Sequence, residues 1–231
     1  MSWPINDFKA LETGEVIISN EKLRLSTVDC GFLEMPSGKL IACDPFVFLS
    51  KNDNPFFQVP PGKYQVLVTL ADVSEALDGS HLREAYASLI INPEGKEITR
   101  KVLELTHDGK PSGEILNEGE YFGFGVDAGT ACFTDALSIS RAMPDDKESD
   151  WNDDIFDSGK DDSWFEKMDD EEHIREGIAN IELPLATKGE NIIIFHSGWG
   201  DGMYPVVGGY DSNGNLTAVH IDFFVLPQPE A

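Results

Sequence analysis

The chain has 231 residues, room for one large domain or two small ones, and its 41% hydrophobic content supplies a core, which excludes global disorder. Forty-two acidic against 17 basic residues give a formal charge of −25. Phosphate backbones and anionic bilayers repel such a chain, so nucleic acid and membrane are set aside as partners, whereas a cation or a basic protein is admitted.

The amino terminus has neither the basic nor the apolar part of a signal peptide, and no apolar run is long enough to cross a bilayer. The three cysteines, Cys30, Cys43 and Cys132, show no paired spacing and point to free thiols in a reducing compartment. The expectation is a soluble, cytoplasmic protein.

In chain order, Asp7 is placed to cap a short helix ending at Leu11, and 15–19 has strand composition. Alternation over 22–28 predicts a half-buried strand. Residues 30–35 and 39–43 flank Pro36-Ser37-Gly38 and read as a hairpin, which would bring Cys30 and Cys43 near each other. One residue of register separates facing from opposed thiols, so no disulfide follows. Residues 50–62 are loop, 63–73 and 83–92 are strands, and 94–105 is assigned to strand over helix. After a polar, turn-rich stretch at 106–120, helical spacing over 134–143 starts from Thr134 or Asp135 as a cap. Short strands at 180–185 and 191–195 follow. A closing hairpin of 203–210 and 216–226 turns at the Asn-Gly of 211–215, and the tail 227–231 frays.

Between these elements, 144–176 departs in composition. It carries 15 acids and 4 bases but also Trp151, Ile155, Phe156, Trp164, Phe165 and Met168. A solvating tail lacks such residues, so this is read as an acidic excursion of one or two short helices pinned by its aromatics. Many short strands and few helical periods predict a mainly β fold, β-rich α+β, over a single domain 1–231. It should be a sandwich or a bent open barrel of short antiparallel strands with two or three short helices.

Motifs with established chemistry fail on their flanks. Gly123-Phe124-Gly125-Val126-Asp127-Ala128 fits Gly-x-Gly-x-x-Ala, yet no helix start follows to hold a pyrophosphate. Asp211-x-Asn213-x-Asn215 resembles a calcium loop with its glycine misplaced, and a hairpin turn explains it. The five histidines have no metal-ligand spacing, Ser197 lacks the upstream glycine of a nucleophile elbow, and Cys132 reads as a buried thiol. No cofactor is called for.

What remains is acids beside glycine in two echoing stretches, Tyr121 to Asp135 and Phe195 to Tyr210. If Asp44, Asp127 and Asp201 converge, they could bind a hard cation or a small polar ligand, or act as acid and base, with Thr130 and Tyr204 beside them. Asp beside Gly equally makes turns by accepting backbone N–H groups.

Several separated motifs together resemble one family. Pro36-Ser37-Gly38-Lys39-Leu40, Cys43-Asp44-Pro45-Phe46 and Pro61-Gly62-Lys63-Tyr64 resemble its first half. The run from Phe122 to Phe133, Ser197-Gly198-Trp199-Gly200-Asp201-Gly202 with Tyr204-Pro205, Gly209-Tyr210-Asp211 and Asp222-Phe223 resemble its second. The family is domain of unknown function 4241, and the resemblance covers most of 28–226 while leaving 144–176 unmatched. It implies no activity, so no catalytic role transfers.

Two functions from different classes follow. One is a β-rich domain with a glycine-acid pocket for a small polar ligand or cation, open to hydrolytic chemistry, built from Asp44, Asp127, Thr130, Asp201 and Tyr204. The other is a non-enzymatic acidic protein, of the immunity or inhibitor type, masking a basic partner with 144–176 and using Trp151, Trp164 and Phe165 as anchors.

Overall fold

The computed structural model describes residues 8–117, 120–145 and 147–227; Asp7 and residues 228–231 of the tail lie outside them. Strands account for 41% of the described residues and helices for 9%, so the mainly β expectation holds. The first half runs through β1 (Gly14–Ile18), β2 (Glu21–Met35), β3 (Lys39–Cys43), β4 (Phe57–Gln58), β5 (Gly62–Asp72), β6 (Leu82–Ile90) and β7 (Thr99–Leu103). The second half adds β8 (Phe124–Val126), β9 (Thr130–Asp135), helix α1 (Ala136–Ala142), a π-helical turn (Asn152–Phe156) and helix α2 (Trp164–Asp169). It closes with β10 (Ile178–Glu182), β11 (Asn191–His196), β12 (Gly202–Tyr204), β13 (Val206–Tyr210) and β14 (Leu216–Asp222).

Seven strands in the order β1-β2-β5-β6-β14-β13-β7 make an antiparallel sheet curled into a half-barrel. Five more, β10-β11-β9-β3-β4, make a second sheet, and β12 pairs with β8 as a two-stranded ribbon. The second sheet is buried on both faces, and its sequence says why. Along Ile192-Ile193-Ile194-Phe195 every residue is apolar, as a strand covered on both sides requires. Ile193 and Phe195 face the half-barrel's core with Leu40, Ala42, Ala131 and Phe133. Ile192 and Ile194 face the opposite way with Ile41, Cys43 and Cys132, under α1 and the 144–176 segment. Full burial of each such side chain stabilises by about 1.5–3 kcal/mol.

Two asparagines stitch the sheets together. Asn191 Nδ2 donates to Phe32 O at 2.9 Å and to Asn180 Oδ1 at 2.7 Å, while its Oδ1 accepts from Glu34 N at 2.9 Å. Asn180 Nδ2 donates to Cys30 O at 2.8 Å, where a bulge interrupts the pairing of β2 with β5 between Asp29 and Phe32. The edge strand β10 is thus fastened across the gap to the irregular part of β2.

The helix expected after the central stretch is α1, and Asp135 is its N-cap, accepting from Leu137 N at 2.9 Å and Ser138 N at 3.2 Å. The same carboxylate accepts from Ser37 N and Ser37 Oγ. That second set of bonds corrects the hairpin expected at Pro36-Ser37-Gly38. The turn forms, with Gly38 at φ +68° and a Cβ there destined to strike the Val59 carbonyl. It does not return the chain alongside β2, however. Ser37 is drawn to Asp135, and β3 enters the second sheet between β9 and β4. Cys30 and Cys43 therefore sit in different sheets, and Cys43 faces Cys132.

A second difference lies at Pro205, where the single strand expected over 203–210 breaks in two. Proline has no N–H to offer a ladder, so β12 leaves to pair with β8 while β13 joins β14 and β7. The turn at 211–215 is the expected one: Asp211 Oδ1 accepts from Asn213 N and Asn215 N. Among the described residues no helix is long and apolar enough to cross a membrane.

Candidate functional site

The glycine-rich stretches meet at the turn between β8 and β9, and a buried carboxylate lies at its centre. Asp44 follows β3 directly and has no exposed surface. Its Oδ2 accepts from Asp127 N at 3.0 Å and Ala128 N at 2.7 Å. Its Oδ1 accepts from Thr130 Oγ1 and from Phe46 N, both at 3.1 Å. A carboxylate offers about four lone-pair sites, and here all four are taken. Burying such a charge is costly unless it is bonded this fully, so Asp44 fixes the 127–130 turn to the end of β3.

The turn is clasped from its other side by the 197–201 loop. Ser197 N donates to Gly129 O at 3.0 Å, and Gly129 N donates to Asp201 Oδ1 at 3.1 Å. Ser197 Oγ and Tyr204 Oη both donate to Gly200 O, at 2.8 and 2.7 Å. Gly198 is at φ +65° with Phe223, Val225 and the Glu84 carbonyl crowding the place of a Cβ, so no other residue fits. Burial pushes the Tyr204 phenol up, which keeps it a neutral donor.

The structure therefore brings Asp44, Asp127, Thr130, Asp201 and Tyr204 to one turn, in unequal roles. Asp44, Thr130 and Tyr204 are buried and committed to internal bonds. Asp127 gives its backbone N–H to Asp44 and leaves its carboxylate exposed, and Asp201 is exposed beside it in the clasp. Among the described residues no group of three or more His, Cys, Asp or Glu is arranged to hold a metal ion.

The acidic segment is tied to this hub through Phe46, whose N–H bonds to Asp44. The Phe46 ring stacks on Phe165 at 4.4 Å and meets Phe156 edge-on at 5.2 Å, and Phe156 packs on Trp164 at 4.9 Å. Trp164 is 1% exposed and Phe165 37%. Half-buried Trp151 donates from Nε1 to Pro144 O at 3.2 Å. Of the three expected partner anchors, Trp164 is thus the root of the segment in the core, and Phe165 is the one that faces solvent. Between the segment and β10 lies a cavity of about 480 Å³ whose walls mix Asp154, Asp162 and Glu182 with Lys160, Lys167 and His173.

One polar cluster escapes sequence reading. Ser88 and His220 are opposite one another on β6 and β14, both buried, with Ser88 Oγ 2.8 Å from His220 Nδ1. His220 Nε2 lies 3.0 Å from Glu97 Oε2, and Glu97 also pairs with Arg100. Phe8 covers the group, edge-on to His220 at 5.4 Å and under the Arg100 guanidinium at 4.5 Å. The signal was a polar residue inside each of two apolar strands; what it lacked was the register that makes them neighbours. Burial opposes charge on Glu97, but the His220 hydrogen bond and the His220 and Arg100 charges outweigh it and hold the carboxyl below its ordinary range.

Asp44→Ala should cost on the order of 3–5 kcal/mol in urea denaturation, since it strands buried donors, whereas Asp127→Asn should stay within about 0.5 kcal/mol. Equal effects would refute this division of roles. Because the folded Glu97 carboxyl titrates below its ordinary 4.5, its stabilisation is complete above that value and is lost as pH falls through the lowered one. The melting temperature of Glu97→Gln should accordingly fall less steeply than wild type below about pH 4.5 and run parallel to it near neutrality. Identical acid slopes would remove Glu97 from the account.

No curated protein and no solved structure matches this chain. A family model described as a protein of unknown function, DUF4241, matches residues 33–221, a span that takes in the Asp44 hub, the clasp and the acidic segment. Over most of its length, the chain therefore belongs to the DUF4241 family.

Proposed function

We propose that this protein binds a basic protein partner through the face formed by 144–176. The observation that carries the reading is that the most acidic part of the chain is an ordered surface. Ile155, Phe156, Trp164 and Met168 root it in the second core, and its described acids are exposed apart from half-buried Asp170. Among the described residues no ion pair neutralises a carboxylate of this segment, so the field is left available to a partner. Phe165 stands exposed among the acids on a rigid aromatic base, with Trp151 half-buried nearby, an arrangement suited to an interface anchor inside a charged rim.

Binding of a synthetic lysine- and arginine-rich peptide tests this. Replacing Asp153, Asp154, Asp161 and Asp162 by Asn should weaken binding about tenfold and flatten its salt dependence. A control with Glu21, Glu75, Glu94 and Glu114 changed to Gln removes the same charge elsewhere and should bind nearly as wild type. Equal weakening by both variants would reduce the effect to net charge and defeat the proposal.

A second reading, a small polar ligand or cation at the glycine-acid turn, is favoured by the two exposed carboxylates, Asp127 and Asp201, on one clasped backbone. Under it, millimolar calcium or magnesium raises the melting temperature of wild type but not of an Asp127→Asn, Asp201→Asn double variant. No shift in wild type sinks the cation form of this reading.

A further inference from the structure

Cys43 ends β3 and Cys132 lies within β9, and the antiparallel register sets the two residues directly opposite each other. Their sulfurs are 3.8 Å apart and both are free thiols. Cys132 is fully enclosed. Cys43 also lines a largely apolar cavity of about 320 Å³ with Phe48, Pro55, Leu105 and Phe124, and Phe48 is itself half exposed at its rim. The third thiol, Cys30, is in the other sheet, turned to the Val28 carbonyl and pushed up to about 12 by burial.

We propose that Cys43 and Cys132 form an intrachain dithiol–disulfide couple, oxidised by a small uncharged hydroperoxide that reaches Cys43 through this cavity. The Cys43 thiolate attacks the terminal peroxide oxygen; an S–O bond forms, the O–O bond breaks, and the released alkoxide takes a proton to leave as alcohol. Cys132 then attacks Cys43 Sγ; the S–S bond forms, the S–O bond breaks, and hydroxide leaves with the Cys132 proton as water. The two thiols lose two electrons and two protons, and the hydroperoxide becomes one alcohol and one water.

Contact at 3.8 Å needs only small side-chain rotations to reach a bond of about 2.05 Å. The couple joins residues 89 apart in sequence, and it ties together the two strands that deliver Asp44 and Thr130 to the hub. The Cys132 hydrogen bond, burial and the Asp44 charge all push the Cys43 thiol up, so the reactive thiolate is scarce at neutral pH. Oxidation should be slow there and accelerate about tenfold for each unit of rising pH.

The test treats the full chain with cumene hydroperoxide between neutral and mildly alkaline pH, followed by alkylation under denaturing conditions and peptide mapping. The expected product has lost two hydrogens, keeps one of its three thiols, links the Cys43 and Cys132 peptides, and melts at a higher temperature until dithiothreitol restores it. Cys30→Ser should behave identically. Cys132→Ser should stop at a Cys43 sulfenic acid that dimedone captures. A link through Cys30 or between chains would overturn the proposal, as would three intact thiols under conditions that oxidise the exposed Met203. The wild-type map decides the matter even if a cysteine variant fails to fold.

Discussion

A buried carboxylate can be tolerated only when its lone pairs are satisfied, and that requirement at Asp44 organises this molecule. Four donors from three places in the chain converge on it: the next turn, two backbone amides of the β8–β9 turn, and a threonine hydroxyl. Removing any one approach leaves a buried group unpaired. The end of one central strand, the start of another and the Phe46 turn are therefore held as a unit.

From that unit the constraint spreads in two directions. Through Gly129 it reaches the 197–201 clasp, whose glycines let two backbones come close enough for Ser197 and Asp201 to bond across. Through Phe46 it reaches the aromatic pile of Phe156, Trp164 and Phe165, and so positions the acidic segment. A second sheet with two apolar faces makes this possible, because the half-barrel covers one side and the acidic segment covers the other. The segment is then a structural cover as well as a charged surface. Its apolar residues stabilise the core, and its carboxylates repel one another and remain without ion-pair partners among the described residues. Such a surface loses that repulsion when it meets opposite charge.

Much of this was legible in the sequence. Strand alternation at 63–73 and 83–92, the Asn-Gly hairpin, the Asp135 cap and the pinned excursion each depend on local chemistry: side-chain period, positive φ and a capping oxygen. The resemblance seen in the Cys-Asp-Pro-Phe and Ser-Gly-Trp-Gly-Asp motifs agrees with the family match, except that the match also spans 144–176, which the motifs left out. Where local chemistry misled, a remote partner had intervened. The Pro36-Ser37-Gly38 turn has hairpin composition, but Asp135, nearly a hundred residues on, captures Ser37 and sends β3 to the other sheet.

The sequence by itself determined that acids lie beside glycines in two echoing loops, that the fold is built of short strands, and that the excursion has apolar roots. Only the tertiary structure decided which acid is buried. Asp44, Asp127 and Asp201 look alike in sequence, each within two residues of a proline or glycine, yet one is saturated by four donors and two face solvent. The same holds for Cys43 and Cys132, and for Ser88, His220 and Glu97, whose pairings come from strand register and long-range packing. Burial and hydrogen-bond satisfaction are properties of what surrounds a residue, and those surroundings are assembled from chain segments that no local pattern connects.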